Sequence, residues 1–239
     1  MEEKILNDLK RGIRKGIPIA LGYLSVSFTF GVKAVNGGLP AWVAVLISLS
    51  NLTSAGQFAG TTLIIAGSTY FEIAVTTFVI NIRYMLMSLA LSQKLVRGTG
   101  RLQRCIFGFG ITDEVFAVAA GESGKISASY MYGLISLPIV GWTAGTALGA
   151  VASDIMPPIL ASAMELGLYA MFIAIILPPA KHSRAIALVI AAAVTVECIL
   201  YYIPLFNWIS GGFKVIIAAI AAAVTGAVLY PVKKEADDV

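Results

Sequence analysis

Apolar residues run through this chain in long blocks separated by short polar turns. A charged, amphipathic lead-in covers 1–15, and the first apolar block covers 16–35, opening with Pro18, which a first helical turn tolerates. Asn36-Gly37-Gly38-Leu39-Pro40 closes it as a turn. Further blocks cover 41–66, 70–91, 105–120, 126–152, 159–178, 184–203 and 212–230. Most approach the roughly 20 residues that a helix needs to cross a bilayer. Prolines at 157–158, 178–179 and 204 separate the later ones. The pattern predicts an all-α polytopic integral membrane protein. Its parts are a cytoplasmic N-terminal segment over 1–15, a single transmembrane domain over 16–231 and a cytoplasmic tail over 232–239.

Two blocks depart from uniform hydrophobicity. The block 41–66 is interrupted near its middle by Asn51-Leu52-Thr53-Ser54-Ala55-Gly56-Gln57-Phe58-Ala59-Gly60. In hydrocarbon, an unpaired polar group or irregular backbone costs about 2–7 kcal/mol per group. Such a break survives only where protein or a water-filled cavity faces it, so it is a candidate substrate site. The block 105–120 is short and carries Asp113-Glu114 at its centre.

Loop charge then bears on topology. Lys and Arg cluster at the N-terminus, at 94–104, at Lys125, at Lys181 and Arg184, and at Lys233 and Lys234. The turns at 36–40, 67–70, 152–158 and 204–212 lack them. If every block crossed once, the loop at 94–104 would fall outside, against the positive-inside tendency. That conflict vanishes, with every other basic cluster kept inside, if 41–66 enters from outside and returns, and 105–120 enters from inside and returns. About six full spans plus two re-entrant helical hairpins then alternate, with both termini cytoplasmic. Two half-penetrating hairpins would place half-helix ends near the midplane, as in many secondary transporters. The alternative is a kinked but complete helix over 41–66 and seven or eight spans.

Composition agrees with the membrane reading. Of 239 residues, 58% are hydrophobic and 13% charged, about half the charged share of soluble domains. Mean hydropathy is +0.87. The net charge of +4 therefore reads as loop charge and not as a nucleic-acid surface. Cys105 and Cys198 lie in apolar surroundings without ligand spacing and read as packing residues. With His182 as the single histidine, neither a histidine metal site nor a catalytic triad is expected. No HExxH or GxSxG motif is present, and Gly121-Glu122-Ser123-Gly124-Lys125 lacks the preceding strand and the Ser/Thr of a phosphate loop. The expectation is a non-enzyme without cofactor or metal. The N-terminus has no cleavable-signal pattern.

The chemistry concentrates in a few intramembrane groups. Asp113 and Glu114 would accept a proton or bind an ammonium; alternatively they are solvated in an interfacial loop, or cap a half-helix beside Thr112. Arg83 stays charged at essentially any pH and needs Asp113, Glu114 or an anionic ligand, unless it snorkels. Asn81 would orient it or bond between helices. Gln57 and Asn51, with Ser54 and Gly56 at the break, would bind a ligand beside freed backbone groups, or else bond between helices. Gly56/Gly60 and Gly141/Gly145/Gly149 have the spacing of close helix contacts. Glu197 is the one formal charge of its span, a further proton-coupling candidate or a hydrogen-bonded neutral acid. Glu72 and Glu165 sit near predicted span ends.

The chain resembles the AzlC family, the large subunit of bacterial branched-chain amino acid exporters. The matching pieces are Gly12-Ile13-Arg14, Pro18, Gly22-Tyr23 and Phe30-Gly31, then Ser54-Ala55-Gly56-Gln57-Phe58-Ala59 and Asn81-Ile82-Arg83. They continue with Thr112-Asp113-Glu114-Val115-Phe116, Gly141-Trp142, Gly145-Thr146, Gly149 and Leu168-Tyr169-Ala170-Met171-Phe172. One departure is Tyr84, where the family often has histidine; another is Ser153, where a further glycine often follows. The resemblance implies export of leucine, isoleucine, valine and sometimes methionine across a bacterial inner membrane, and the leading expectation is that a proton gradient drives it. It also implies a complex with a small AzlD-like membrane subunit of about 100 residues. In that frame the substrate carboxylate meets Asn51–Gln57, its ammonium meets Asp113 or Glu114, and its side chain rests on Phe58 and Phe116. A channel or uptake permease for another solute stays open as an alternative. So does a non-transporting scaffold whose Ala-rich last spans bind another subunit.

Overall fold

The computed structural model describes residues 2–157, 159, 160, 163, 166, 173 and 176–230. The order of α-helices is α1 (Glu2–Asn36), α2 (Ala41–Ser50), α3 (Ala55–Ile65), α4 (Tyr70–Lys94), α5 (Arg101–Gly110), α6 (Asp113–Ala120), α7 (Ala128–Ala152), α8 (Arg184–Tyr202) and α9 (Gly211–Leu229). Among the described residues, five helices are long and apolar enough to span a bilayer: α1, α4, α7 with its following turn, α8 and α9. The expected span at 159–178 falls largely outside the described residues. Glu165, the Leu168–Phe172 element and the tail at 232–239 with Lys233 and Lys234 also lie outside them.

α1 and α7 form the spine, side by side and parallel. Gly12 lies against Tyr130, Gly141 against Ala20, and Gly149 against Phe28. A Cβ at Gly149 would stand 2.0 Å from the Phe28 carbonyl oxygen. Small residues let backbones meet this closely, and such packing holds membrane helices together where hydrophobic burial cannot. The spine corrects two expectations. The lead-in over 1–15 is continuous with the first span, and Pro18 lies deep inside α1 instead of in a first turn. The reason is tertiary: Gly12 and Gly16 extend the contact with α7 towards the N-terminus, so the helix is held well before Pro18.

Both exceptional blocks are hairpins. α2 and α3 have 10 and 11 residues, about 15 Å each, half of a hydrocarbon core about 30 Å thick. Gly37, at the end of α1, touches the Ile65 side chain at the end of α3. The chain thus leaves the hairpin at the face where it entered. The second hairpin begins at Arg101, four residues before the expected start, and folds α5 against α6. Arg104 donates to the Ser92 carbonyl at 3.2 Å, and Lys94 Nζ donates to the carbonyls of Ala120 and Glu122. Both of its ends therefore lie at the C-terminal end of α4, the face where α1 begins. The hairpins enter from opposite faces, in agreement with the loop charges.

The remaining helices close the bundle. Gly212 N–H donates to Glu72 Oε1 at 3.1 Å, placing the start of α9 beside the start of α4. Gly226 lies against Val189, so α8 and α9 are antiparallel. The chain thus changes face between Pro157 and Arg184. Glu72, expected near an interface, is buried because α9 covers it. Cys105 and Cys198 are exposed on outward helix faces and do not pack in the core.

Candidate functional site

The hairpin tips meet around a cavity of ≈ 230 Å³. That is below the roughly 300–1,000 Å³ of drug-sized sites and fits a small solute. Leu52, Ser54 and Ala55 come from the first tip, Thr112, Asp113 and Glu114 from the second, Arg83 and Tyr84 from α4, and Tyr23 from α1. Ile176 adds an apolar wall.

Charge is arranged asymmetrically. Arg83 forms an ion pair with Asp113 at 3.0 Å and also donates to the Tyr84 hydroxyl at 3.1 Å. Tyr84 in turn donates to the Thr53 carbonyl at 3.1 Å, tying α4 to the first break. The guanidinium lies about 16 Å along α4 from Lys94, too deep for snorkelling, and the pair answers its need for an anion. Glu114 is not part of that pair. Its carboxylate meets the hydroxyl of Tyr23, which also lies 2.5 Å from Thr112 Oγ1. A phenol has one proton; with Glu114 ionised it goes to the carboxylate, and Thr112 then donates to the phenol oxygen.

Two helix N-termini face this space, each carrying a partial positive charge. Asp113 and Glu114 occupy the first turn of α6, and Thr112 caps it by accepting from Val115 N–H at 3.3 Å. The α3 terminus has no acid in its first turn and no side-chain cap. There Ser54 takes a φ of 44°, the positive value among the described non-glycine residues. Its hydroxyl is buried without a partner. A strained residue with an unsatisfied donor at an open helix N-terminus is a place for an anion.

Several expected ligands lie outside the cavity lining. Gln57, 1% exposed, donates to Ser48 at 2.6 Å and accepts from the Trp142 indole at 2.9 Å. Ser48 also bonds Thr146 at 2.6 Å. These contacts brace the first hairpin against α7, away from the cavity. Asn51 folds back on its own turn, accepting from the Thr53 backbone and hydroxyl. Asn81 presses against Gly56, where a Cβ would stand 2.2 Å from its Oδ1, an oxygen buried without a hydrogen-bond partner. Gly56 thus serves the approach of α3 to α4. Phe58 packs edge-on against Phe30 at 5.2 Å, and Phe116 packs into the main core. Glu197 lies on α8, outside the cavity, with one buried carboxylate oxygen unpartnered. Ser54, Arg83, Thr112, Asp113 and Glu114 are the expected residues that the fold brings together.

Tyr23 was not among the expected ligands, and Tyr84 entered only as a departure from a family pattern. The available signal was a phenol at mid-span, whose hydroxyl must find a partner at membrane depth.

Comparison with known proteins gives a family-model match, described as AzlC protein, over residues 18–156. The chain is 32% identical over 222 residues to an uncharacterized membrane protein of Archaeoglobus fulgidus, covering 92% of this chain and 93% of that one. It is 28% identical over 189 residues to the inner membrane protein YgaZ of Escherichia coli K12, covering 76% of each. An uncharacterized membrane protein of Helicobacter pylori is 25% identical over 154 residues, covering 63% of this chain and 67% of that protein. No solved structure gives a significant match.

Proposed function

The chain belongs to the AzlC family, and from that premise we propose that it is the large subunit of a secondary transporter that exports branched-chain and related hydrophobic amino acids. The observation that carries this reading is the cavity between the hairpin tips. It offers one guanidinium and an uncapped helix N-terminus to an anion, and two carboxylates to a cation. A zwitterion matches that set. Its carboxylate would lie at Ser54 and the α3 terminus, within reach of Arg83. Its ammonium would lie at Glu114 or Asp113. Leu52, Ala55 and Ile176 supply an apolar wall for an aliphatic side chain.

Proton coupling follows from competition in this proposal. An ammonium and a proton seek the same carboxylates, so release of one favours binding of the other, as exchange across a membrane requires. The proposed assembly lies in a bacterial inner membrane and includes a small hydrophobic AzlD-like subunit. The outward faces of α4 and α8, little buried within the chain, are available to lipid or to that subunit.

The test is efflux from bacteria loaded with leucine- or valine-containing dipeptides and expressing the chain with its partner. Asp113→Asn and Glu114→Gln should each slow efflux at least about tenfold, the effect of losing about 1.4 kcal/mol, at unchanged protein level. Efflux equal to the parent in both variants would refute the site.

A further inference from the structure

We propose that the groove between α1 and α6, at the face where α1 begins, binds an anionic phospholipid from the surrounding bilayer. This groove is separate from the solute cavity and encloses ≈ 460 Å³, with Arg11, Arg14 and Lys15 at its mouth and Pro18, Ile19 and Val118 along its floor. Cations above an apolar floor match the two ends of a lipid. A phosphate would sit against the basic side chains, with the start of an acyl chain on Pro18, Ile19 and Val118.

The charge is available. Arg11 and Lys15 each lie 3.6 Å from Glu122, and their side chains remain 52% and 54% exposed. Such contacts are long and solvated, so they hold the cations in place without neutralising them. Arg11 is also stacked over the Tyr130 ring at 4.8 Å. Among the described residues Arg14 makes no ion pair. Two of the three cations share one carboxylate and the third has none, and a phosphodiester anion complements the surplus. A free phosphate would use the mouth alone and leave the apolar floor in contact with nothing.

The floor lies one helical turn from the solute cavity. Ile19 precedes Tyr23 by four residues on α1, and Val118 follows Glu114 by four on α6. A lipid seated there fills the α1–α6 seam directly beside the Tyr23–Glu114 contact.

Native mass spectrometry of the full chain, released from detergent with equal amounts of phosphatidylglycerol and phosphatidylcholine, tests this directly. The parent should retain phosphatidylglycerol selectively. Each basic group at an anionic surface contributes about fivefold in affinity, so Arg14→Gln with Lys15→Gln should weaken retention about thirtyfold. A second variant, Val118→Trp, leaves every cation in place, fills the floor and should also reduce retention. Equal retention of both lipids by the parent, or unchanged retention in both variants, would overturn the proposal. Displacement of the lipid by millimolar inorganic phosphate would overturn it too, by showing a site for the anion alone. Transport is not measured, so the outcome is independent of what the solute cavity carries.

Discussion

Gln57→Leu separates the structural role of the first break from substrate binding. Leucine nearly conserves volume, so the change removes hydrogen bonds without opening a large cavity. Two bonds between helices are lost, to Ser48 and from Trp142, at roughly 0.6 kcal/mol each in membrane proteins. Ser48 keeps Thr146 as a partner. Trp142, 1% exposed, loses the acceptor of its indole N–H, and an unsatisfied buried donor costs about 1–3 kcal/mol. The expected destabilisation is therefore about 2–4 kcal/mol, read from reversible unfolding in bicelles. Trp142→Phe on that background should recover about 1–2 kcal/mol by removing the stranded donor, a non-additivity that marks direct coupling. KM for amino acid efflux from vesicles should stay within about twofold, since that interval is only a fraction of 1.4 kcal/mol. A KM raised tenfold with stability unchanged would refute the brace and return Gln57 to the binding site.

The geometry makes three further predictions. Single cysteines at Ser68 and Thr99, in a background lacking Cys105 and Cys198, should label with an impermeant maleimide from opposite faces, 68 from outside and 99 from inside. Labelling from one common face would exclude the two-hairpin topology. Gly149→Leu should abolish accumulation of folded protein because its Cβ would meet the Phe28 carbonyl at 2.0 Å, whereas Gly22→Ala, with nothing within 4 Å, should melt within a few degrees of the parent by scanning fluorimetry. Arg83→Gln and Asp113→Asn should each destabilise the protein, by roughly 1–2 kcal/mol given their partial exposure. The double variant should be less unstable than the sum, and strictly additive losses would argue against the ion pair.

Topology was legible in the sequence because the distribution of Lys and Arg among loops reports sidedness independently of the apolar blocks. That signal distinguishes a 26-residue hairpin over 41–66 from one tilted helix, which length does not. The Arg83–Asp113 pair was legible for a similar reason: an unpaired charge at mid-span is too costly to leave alone. The amides were not. Near a break, Asn51, Gln57 and Asn81 could satisfy backbone, a neighbouring helix or a ligand with the same chemistry, and only their directions decide. Pro18 was misplaced because the continuity of α1 depends on the glycine contacts of α7, more than one hundred residues away. Tyr23 meets Thr112 across 89 positions, a separation no local pattern encodes.

The charges on the cavity wall limit what it can hold. Arg83 opposes two carboxylates, so with all three ionised the wall carries one net negative charge at membrane depth. Such a charge is costly unless something cancels it. In the proposed function, a proton on one of the two carboxylates would cancel it when the cavity is empty, and a ligand ammonium would cancel it locally when the cavity is filled. An uncharged solute would do neither, and a simple anion would deepen the imbalance despite the open α3 terminus. The hairpins add a geometric condition. Because they reach the cavity from opposite faces, each tip lies between the solute and a different side of the membrane. In the proposed exchange, shifting one tip would open one side, and the Tyr23–Glu114, Arg83–Asp113 and Tyr84–Thr53 contacts are bonds that hold the tips in place. In the proposed exchange, the group that binds proton or ammonium is thus also part of the latch holding its own hairpin tip closed.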